Sequence, residues 1–243
     1  LLGPQDRRQI TRDVLWLHSG SFRWDARVGT GLRYDAPPAG SARPADDAAK
    51  ILRQANISGS WAHNDGMVAI ALHHTADLPR PLLASVRSLV EVAFEGRFTA
   101  EDWDHALGGL HALAWDGDDL IGHGALVQRR LLHQGRALRT GYVEAVAVRA
   151  DRRRTGTASA IMAELERVIT AAYELGALSA ASAGARLYES RGWQRWRGPT
   201  SALTPTGVVA TPEEDGHVFV WPASAPLDLD AELTCDWRGG DVW

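Results

Sequence analysis

Cysteine is almost absent. Cys235 is the only one in 243 residues, which excludes a disulfide scaffold. Lysine is as scarce: Lys50 stands alone among 26 basic residues, a bias that fits a GC-rich genome and not a functional device. No apolar run approaches the roughly 20 residues that a membrane helix needs; residues 67–72 form one of the longest. The first twenty residues contain Asp6, Arg7, Arg8, Arg12 and Asp13, so they hold no secretory apolar core. A reducing, cytoplasmic setting is the expectation. No Gly-Lys-Ser/Thr triplet marks a Walker loop, and the three-glycine dinucleotide spacing is missing.

What is present is an ordinary globular balance, with 45% apolar and 23% charged residues. The length suits one large domain, or a mid-sized domain with an extension. Charge is uneven along it. Residues 1–66 hold nine basic and seven acidic side chains, and residues 67–243 hold 17 and 23. The second segment repels nucleic acid unless its charges segregate, and it attracts a cationic ligand.

Residues 1–66 have scattered aromatics, weak periodicity and a Pro/Gly/Ala/Ser-rich stretch after Asp35. They read as a poorly ordered N-terminal extension, with the functional unit from Met67. From there the pattern is a strand (68–72) and a helix led by Pro81. A second helix is capped by Thr99, with Glu101 and Asp102 in its first turn. Strands follow at 110–115, 120–128 and 142–149, joined by Asp116-Gly117 and Gln134-Gly135 turns. A long apolar face from Ala158 to Leu175 reads as a helix stopped by Gly176. A strand (178–181), a helix (183–190) closed by Gly192, and strands at 193–203 and 217–221 complete the order. Residues 228–243 read as a tail. This order predicts an α/β fold with a mixed sheet, not tandem βαβ units.

Three segments carry chemistry. In Val146-Ala-Val-Arg-Ala-Asp-Arg-Arg-Arg-Thr-Gly-Thr-Ala-Ser, a strand meets a small-residue turn that opens the long helix. Such a turn aims backbone N–H groups and the positive helix end at one spot, a cradle for a pyrophosphate. An ordinary tight turn with a solvated arginine run would read alike. Glu144 lies inside an apolar strand, where a carboxylate is costly unless it is partnered or works as a base. An edge-facing glutamate would read alike. Tyr188, on the helix after Ser182, could donate a proton to a leaving thiolate, or could be a core aromatic.

Arg153-x-x-Gly156-x-Ala158 after Val146-Ala-Val resembles the signature of the GNAT acetyltransferases. Ala185-Arg-Leu-Tyr-Glu-Ser-Arg-Gly-Trp resembles that superfamily's second motif. His74-Thr-Ala-Asp, Phe98-Thr-Ala-Glu-Asp-Trp, Gly108-Gly-Leu-His, Gly141-Tyr-Val-Glu and Cys235-Asp-Trp-Arg-Gly-Gly-Asp-Val-Trp are similar to the mycobacterial-type aminoglycoside 2′-N-acetyltransferases. The resemblance covers residues 67–243. It implies the GNAT acyl-CoA N-acyltransferase fold, a mixed, mostly antiparallel sheet flanked by helices. It also implies acetyl transfer from acetyl-CoA to the 2′-amine of an aminoglycoside, by direct attack in a ternary complex.

By that resemblance, Val146, Ala147 and Val148 would bind acetyl-CoA through a splayed strand and polarise the thioester carbonyl. Arg153, Arg154, Thr155, Gly156, Thr157 and Ala158 would hold the pyrophosphate. Glu144 would be the base, acting through water, and Tyr188 the acid. Asp102, Ala145, Ser179, Glu213, Glu214, Asp241 and the Trp243 carboxylate would face the aminoglycoside, with Trp243 also counted at the catalytic centre. A homodimer is implied, with no metal, nucleic acid or membrane partner; His73, His74, His105 and His111 lack ligand spacing. The sequence departs from the family pattern at Arg97, where an acid is usual, and at Ala145, where glycine is usual. Ala158 stands where the wider superfamily more often has glycine. Two other readings compete: the same chemistry on a cell-wall amino sugar, polyamine or peptide amine, and a non-catalytic aminoglycoside-binding module.

Overall fold

The computed structural model describes residues 68–243. The extension expected over residues 1–66, and Met67 as its boundary, lie outside the described residues. Strand β1 (Ala69–His74) leads to helices α1 (Arg80–Ala93) and α2 (Ala100–His105). Three strands follow, β2 (Leu110–Asp116), β3 (Asp119–His133) and β4 (Arg136–Val148). Next come α3 (Thr157–Ala172), β5 (Leu175–Ser179) and α4 (Ser182–Arg191). The chain ends with β6 (Gln194–Arg195), β7 (Thr200–Thr204), β8 (Gly207–Ala210), β9 (Val218–Pro222) and β10 (Leu233–Asp236).

Among the described residues the strands form one ten-stranded sheet in the order β6-β9-β5-β4-β3-β10-β7-β8, with β2 and then β1 branching from β3. Strand β3 is its spine. It pairs β4 along one side; on the other, its first half pairs β2 and its last residues pair β10. Only β4–β5 and β10–β7 are parallel. The sheet is therefore mixed, as the element order predicts, and mostly antiparallel, as the family resemblance implies. The β3–β4 hairpin turns at Gln134 and Gly135, both with positive φ, the geometry that matches strand twist.

Both faces of the central strands are covered, so β3 is mainly apolar over residues 120–127, broken there only by His123 among the larger side chains. On one face Ile161, Met162, Leu165 and Ile169 of α3 pack on Ile121, Leu126, Val143 and Val146. On the other, Leu82 and Val86 of α1 and Trp103 of α2 cover Leu113, Trp115, Leu120 and Ala125. Gly124 makes room for α3: a Cβ there would stand 2.7 Å from Ile161. A third cluster joins Leu131, Tyr142, Trp196, Val218, Leu233 and Trp243, so the C-terminal segment is part of a core.

Several sequence expectations are corrected. Helix α3 ends at Ala172, and Gly176 is a β5 residue where a Cβ would stand 2.9 Å from Trp221. Its role is close packing and not helix termination. Residues 193–203 form two strands, because β6 pairs β9 while β7 pairs β8 and β10. The tail holds β10, clamped between β3 and β7.

Candidate active site

The site begins where the sheet opens. Strands β4 and β5 pair only through Thr140–Leu175, Gly141–Gly176 and Tyr142–Ala177. Beyond those pairs, Val143 to Val146 and Leu178–Ser179 line opposite sides of a pocket. A bulge sits at the opening. Ala125 faces Glu144 while His123 faces Ala147, so β4 carries one extra residue there. Ala145 takes φ +50°, the left-handed region that glycine tolerates best. That explains physically why glycine suits this position.

Two buried histidines brace the bulge. His123 Nδ1 donates to the Ala145 carbonyl at 2.9 Å. His111 Nδ1 lies 2.9 Å from His123 Nε2, and Thr75 Oγ1 lies 2.8 Å from His111 Nε2. A carbonyl only accepts, so the proton order along the chain is fixed. With both rings neutral, His123 donates to Ala145, His111 donates to His123, and His111 Nε2 accepts from Thr75, whose hydroxyl shares its hydrogen with the Gly109 carbonyl 3.2 Å away. Burial, helped by the neighbouring imidazoles, lowers His111 to about 4 and His123 to about 3.

Beside the bulge lies a cleft of about 240 Å³. Val146, Ala147, Val148, Arg153, Arg154, Gly156 and Ala158 line it, joined by Ala93, Phe94, Arg152, Ser159, Arg186 and Leu187. Gly156 is the N-cap of α3 with φ +89°, and a Cβ there would meet nothing within 4 Å. Glycine is required by the backbone angle, not by space. Thr155 and Thr157 do not line the cleft. Thr155 Oγ1 lies 2.7 Å from the Arg152 carbonyl and 3.0 Å from Thr157 Oγ1, and Thr157 is buried. Their hydroxyls brace the turn. Helix N-terminus, backbone donors and four arginines make the cleft fit a pyrophosphate.

The pocket on the other side of the opening is small, about 40 Å³. Of the predicted residues, Asp102, Glu144, Ala145, Val146, Ser179, Tyr188 and Trp243 line it. Asp102 also closes a capping box, accepting from Thr99 N at 2.8 Å. Tyr188 packs beside Trp193 and Phe219, and burial pushes its phenol well above the usual range. It keeps its proton.

Three predicted residues sit elsewhere. Glu214 is buried at 2% exposure and accepts from Ser179 Oγ at 2.8 Å, so it positions Ser179 instead of facing the pocket. Glu213, beside it, is exposed and outside the pocket lining. Asp241 accepts from Trp243 N at 3.1 Å and shapes the C-terminal segment. The Trp243 indole is itself buried and donates to Thr211 Oγ1 at 2.9 Å.

Comparison with known proteins decides the family. Residues 83–196 match the acetyltransferase (GNAT) domain. An aminoglycoside 2′-N-acetyltransferase from Mycolicibacterium fortuitum is 53% identical over 193 residues, spanning 78% of this chain and 96% of that protein. The chain belongs to the aminoglycoside 2′-N-acetyltransferase family of GNAT acetyltransferases. Similar solved structures include a GNAT family N-acetyltransferase from Escherichia coli in complex with CoA, at TM-score 0.49 and 15% identity, covering 72% of this chain and 93% of that one. Another is ElaA from Escherichia coli, at TM-score 0.46 and 17% identity, covering 63% and 97%.

As a GNAT acetyltransferase the protein uses acetyl-CoA. Sequence patterns missed part of its pocket. Phe94, Phe98, Tyr142 and His105 also line it. His105 Nε2 donates to the Gly239 carbonyl at 2.7 Å, and burial together with Arg238 lowers its pKa. His111 and His123 were within reach of sequence reasoning, since both interrupt apolar strands as Glu144 does. Arg97 is exposed and outside the pocket lining.

Proposed function

We propose that this acetyltransferase moves acetyl from acetyl-CoA to the 2′-amine of an aminoglycoside, by direct attack in a ternary complex. The carrying observation is that the arginine-lined cleft and the acidic pocket share Phe94 and Val146. A thioester held in one meets an amine held in the other, and proximity of the two supplies much of the rate.

Each residue has a task in this reading. Gly156, Arg153, Arg154 and the first turn of α3 hold the pyrophosphate, with Arg152 and Arg186 adding positive charge. Val146 to Val148 offer the strand edge to the pantetheine and polarise the thioester carbonyl. Through water, Glu144 takes the proton that the acceptor ammonium must lose before its freed nitrogen attacks the thioester carbon. Tyr188 returns one to the departing thiolate. Asp102, Ser179 and the C-terminal segment meet the other ammonium and hydroxyl groups, where charge-assisted hydrogen bonds are strong. The enzyme works in the cytoplasm, where acetyl-CoA is available, without a metal, nucleic acid or membrane partner. It forms the homodimer that the family resemblance implies, which analytical ultracentrifugation reads.

A second reading keeps the chemistry and changes the acceptor to a smaller amine, and the modest pocket volume favours it. Acetyl-CoA with a mixed pool of aminoglycosides, polyamines and amino sugars separates the two. We expect mass spectrometry and NMR to find acetyl on the aminoglycoside 2′-nitrogen. Acetyl only on other amines would overturn the assignment.

A further inference from the structure

Arg238 has no role in the reading above, yet it contacts three residues that line the pocket, Tyr142, Glu144 and Trp243. It donates through Nη1 to Glu144 Oε1 in an ion pair. Through Nη2 it donates to a terminal carboxylate oxygen of Trp243 at 2.6 Å, and through Nε to the Asp241 carbonyl at 2.9 Å. Its guanidinium lies 5.4 Å from the centre of the Tyr142 ring. Tyr142 and Glu144, two residues apart on β4, face one side of the sheet, so a single guanidinium spans both.

The pair is poorly explained as a stabilising contact. Its side chains are 14% and 15% exposed, and desolvating two charges offsets most of their attraction. What the pair fixes is direction. One carboxylate oxygen of Glu144 is committed to Arg238. Oε2 has no hydrogen-bond partner among the described residues, and Glu144 lines the acceptor pocket. The arginine is itself held in place. The segment carrying it is tied down by His105 at Gly239, by Arg129 at Val242 and by the buried Trp243 indole at Thr211.

We propose that Arg238 is a positioning residue for Glu144, anchoring Oε1 to the C-terminal segment so that Oε2 is presented to the water that joins it to the acceptor amine. This rests on Glu144 being the base. It also joins two parts of the site: the segment that brings Trp243 to the pocket sets the base as well. The opposing idea is a gate, in which Arg238 merely fills the place of a substrate ammonium and must be displaced.

Turnover separates them. Arg238→Ala should lower kcat with tobramycin by about 100-fold, the scale expected for a misplaced reacting group, with the KM for acetyl-CoA unchanged. Arg238→Lys, or added methylguanidinium, should restore part of the loss. Methylguanidinium should do nothing for Glu144→Gln. Wild-type or faster turnover by Arg238→Ala, or no recovery by either route, overturns the proposal. Should the wild-type protein release no thiol at all, the failed claim is acetyl transfer itself. The crystal structure of the Arg238→Ala protein then decides positioning alone: a displaced Glu144 carboxylate upholds it and an unmoved one overturns it.

Discussion

Glu144 and Tyr188 approach the reacting centre from different surroundings. Glu144 stands at the edge of a polar pocket with a guanidinium on one oxygen. Tyr188 is enclosed by aromatic rings, which keep its phenol neutral. A leaving thiolate in the same apolar setting is raised too, so a high phenol pKa does not disqualify the donor. Tyr188→Phe should slow turnover by at least about 10-fold while calorimetry finds acetyl-CoA affinity unchanged; undiminished turnover would remove the acid role. Glu144→Gln should lose about 100-fold or more, most severely at low pH, where fewer amines are free; a uniform small loss across pH would contradict it. Glu144 was legible in the sequence because a charge inside an apolar run demands a reason. Arg238 was not, because its partner lies 94 residues away and nothing local in the sequence encodes that meeting.

At the scale of elements, the bulge in β4 and the turn before α3 are the decisive pieces. Both rest on left-handed backbone, one filled by alanine and one by glycine. Ala145→Gly should relieve the strain and stabilise the fold by about 1 kcal/mol, read as a higher urea midpoint with an unchanged slope. A lower midpoint would mean that the Ala145 methyl group packs better than the backbone angle costs. Gly156→Ala should destabilise by about 1 kcal/mol or more and weaken acetyl-CoA binding in calorimetry. The hairpin turns and α1 were readable because turn chemistry and apolar spacing are local. The end of α3 was not, since Leu175 and Gly176 continue the helical apolar pattern yet are drawn into the sheet beside β4 and β9. Strand β10 was hidden for the same reason: its four residues carry little periodicity, and both of its neighbours are distant in sequence.

Over the whole molecule, the Thr75–His111–His123–Ala145 chain ties acid stability to the geometry of the site. Each histidine is lowered in the folded state and titrates near 6.5 when unfolded. Below pH 6.5 the unfolded chain therefore takes up protons that the fold refuses, and stability falls with pH. The loss approaches about 1.4 kcal/mol per pH unit for each ring. It levels off near pH 4 for His111 and pH 3 for His123. Nitrogen NMR should find both rings neutral at pH 5, and protonated rings there would contradict the assigned chain. The bulge that these histidines brace lies where the two clefts meet, so the central claim concerns that junction. Its most direct test is free-thiol release by the purified protein given acetyl-CoA, with tobramycin set against an aminoglycoside that carries a hydroxyl at the 2′ position. The account predicts one thiol per acetylated tobramycin and none with the hydroxyl compound; no thiol with any 2′-amine, or equal release from both, would contradict it.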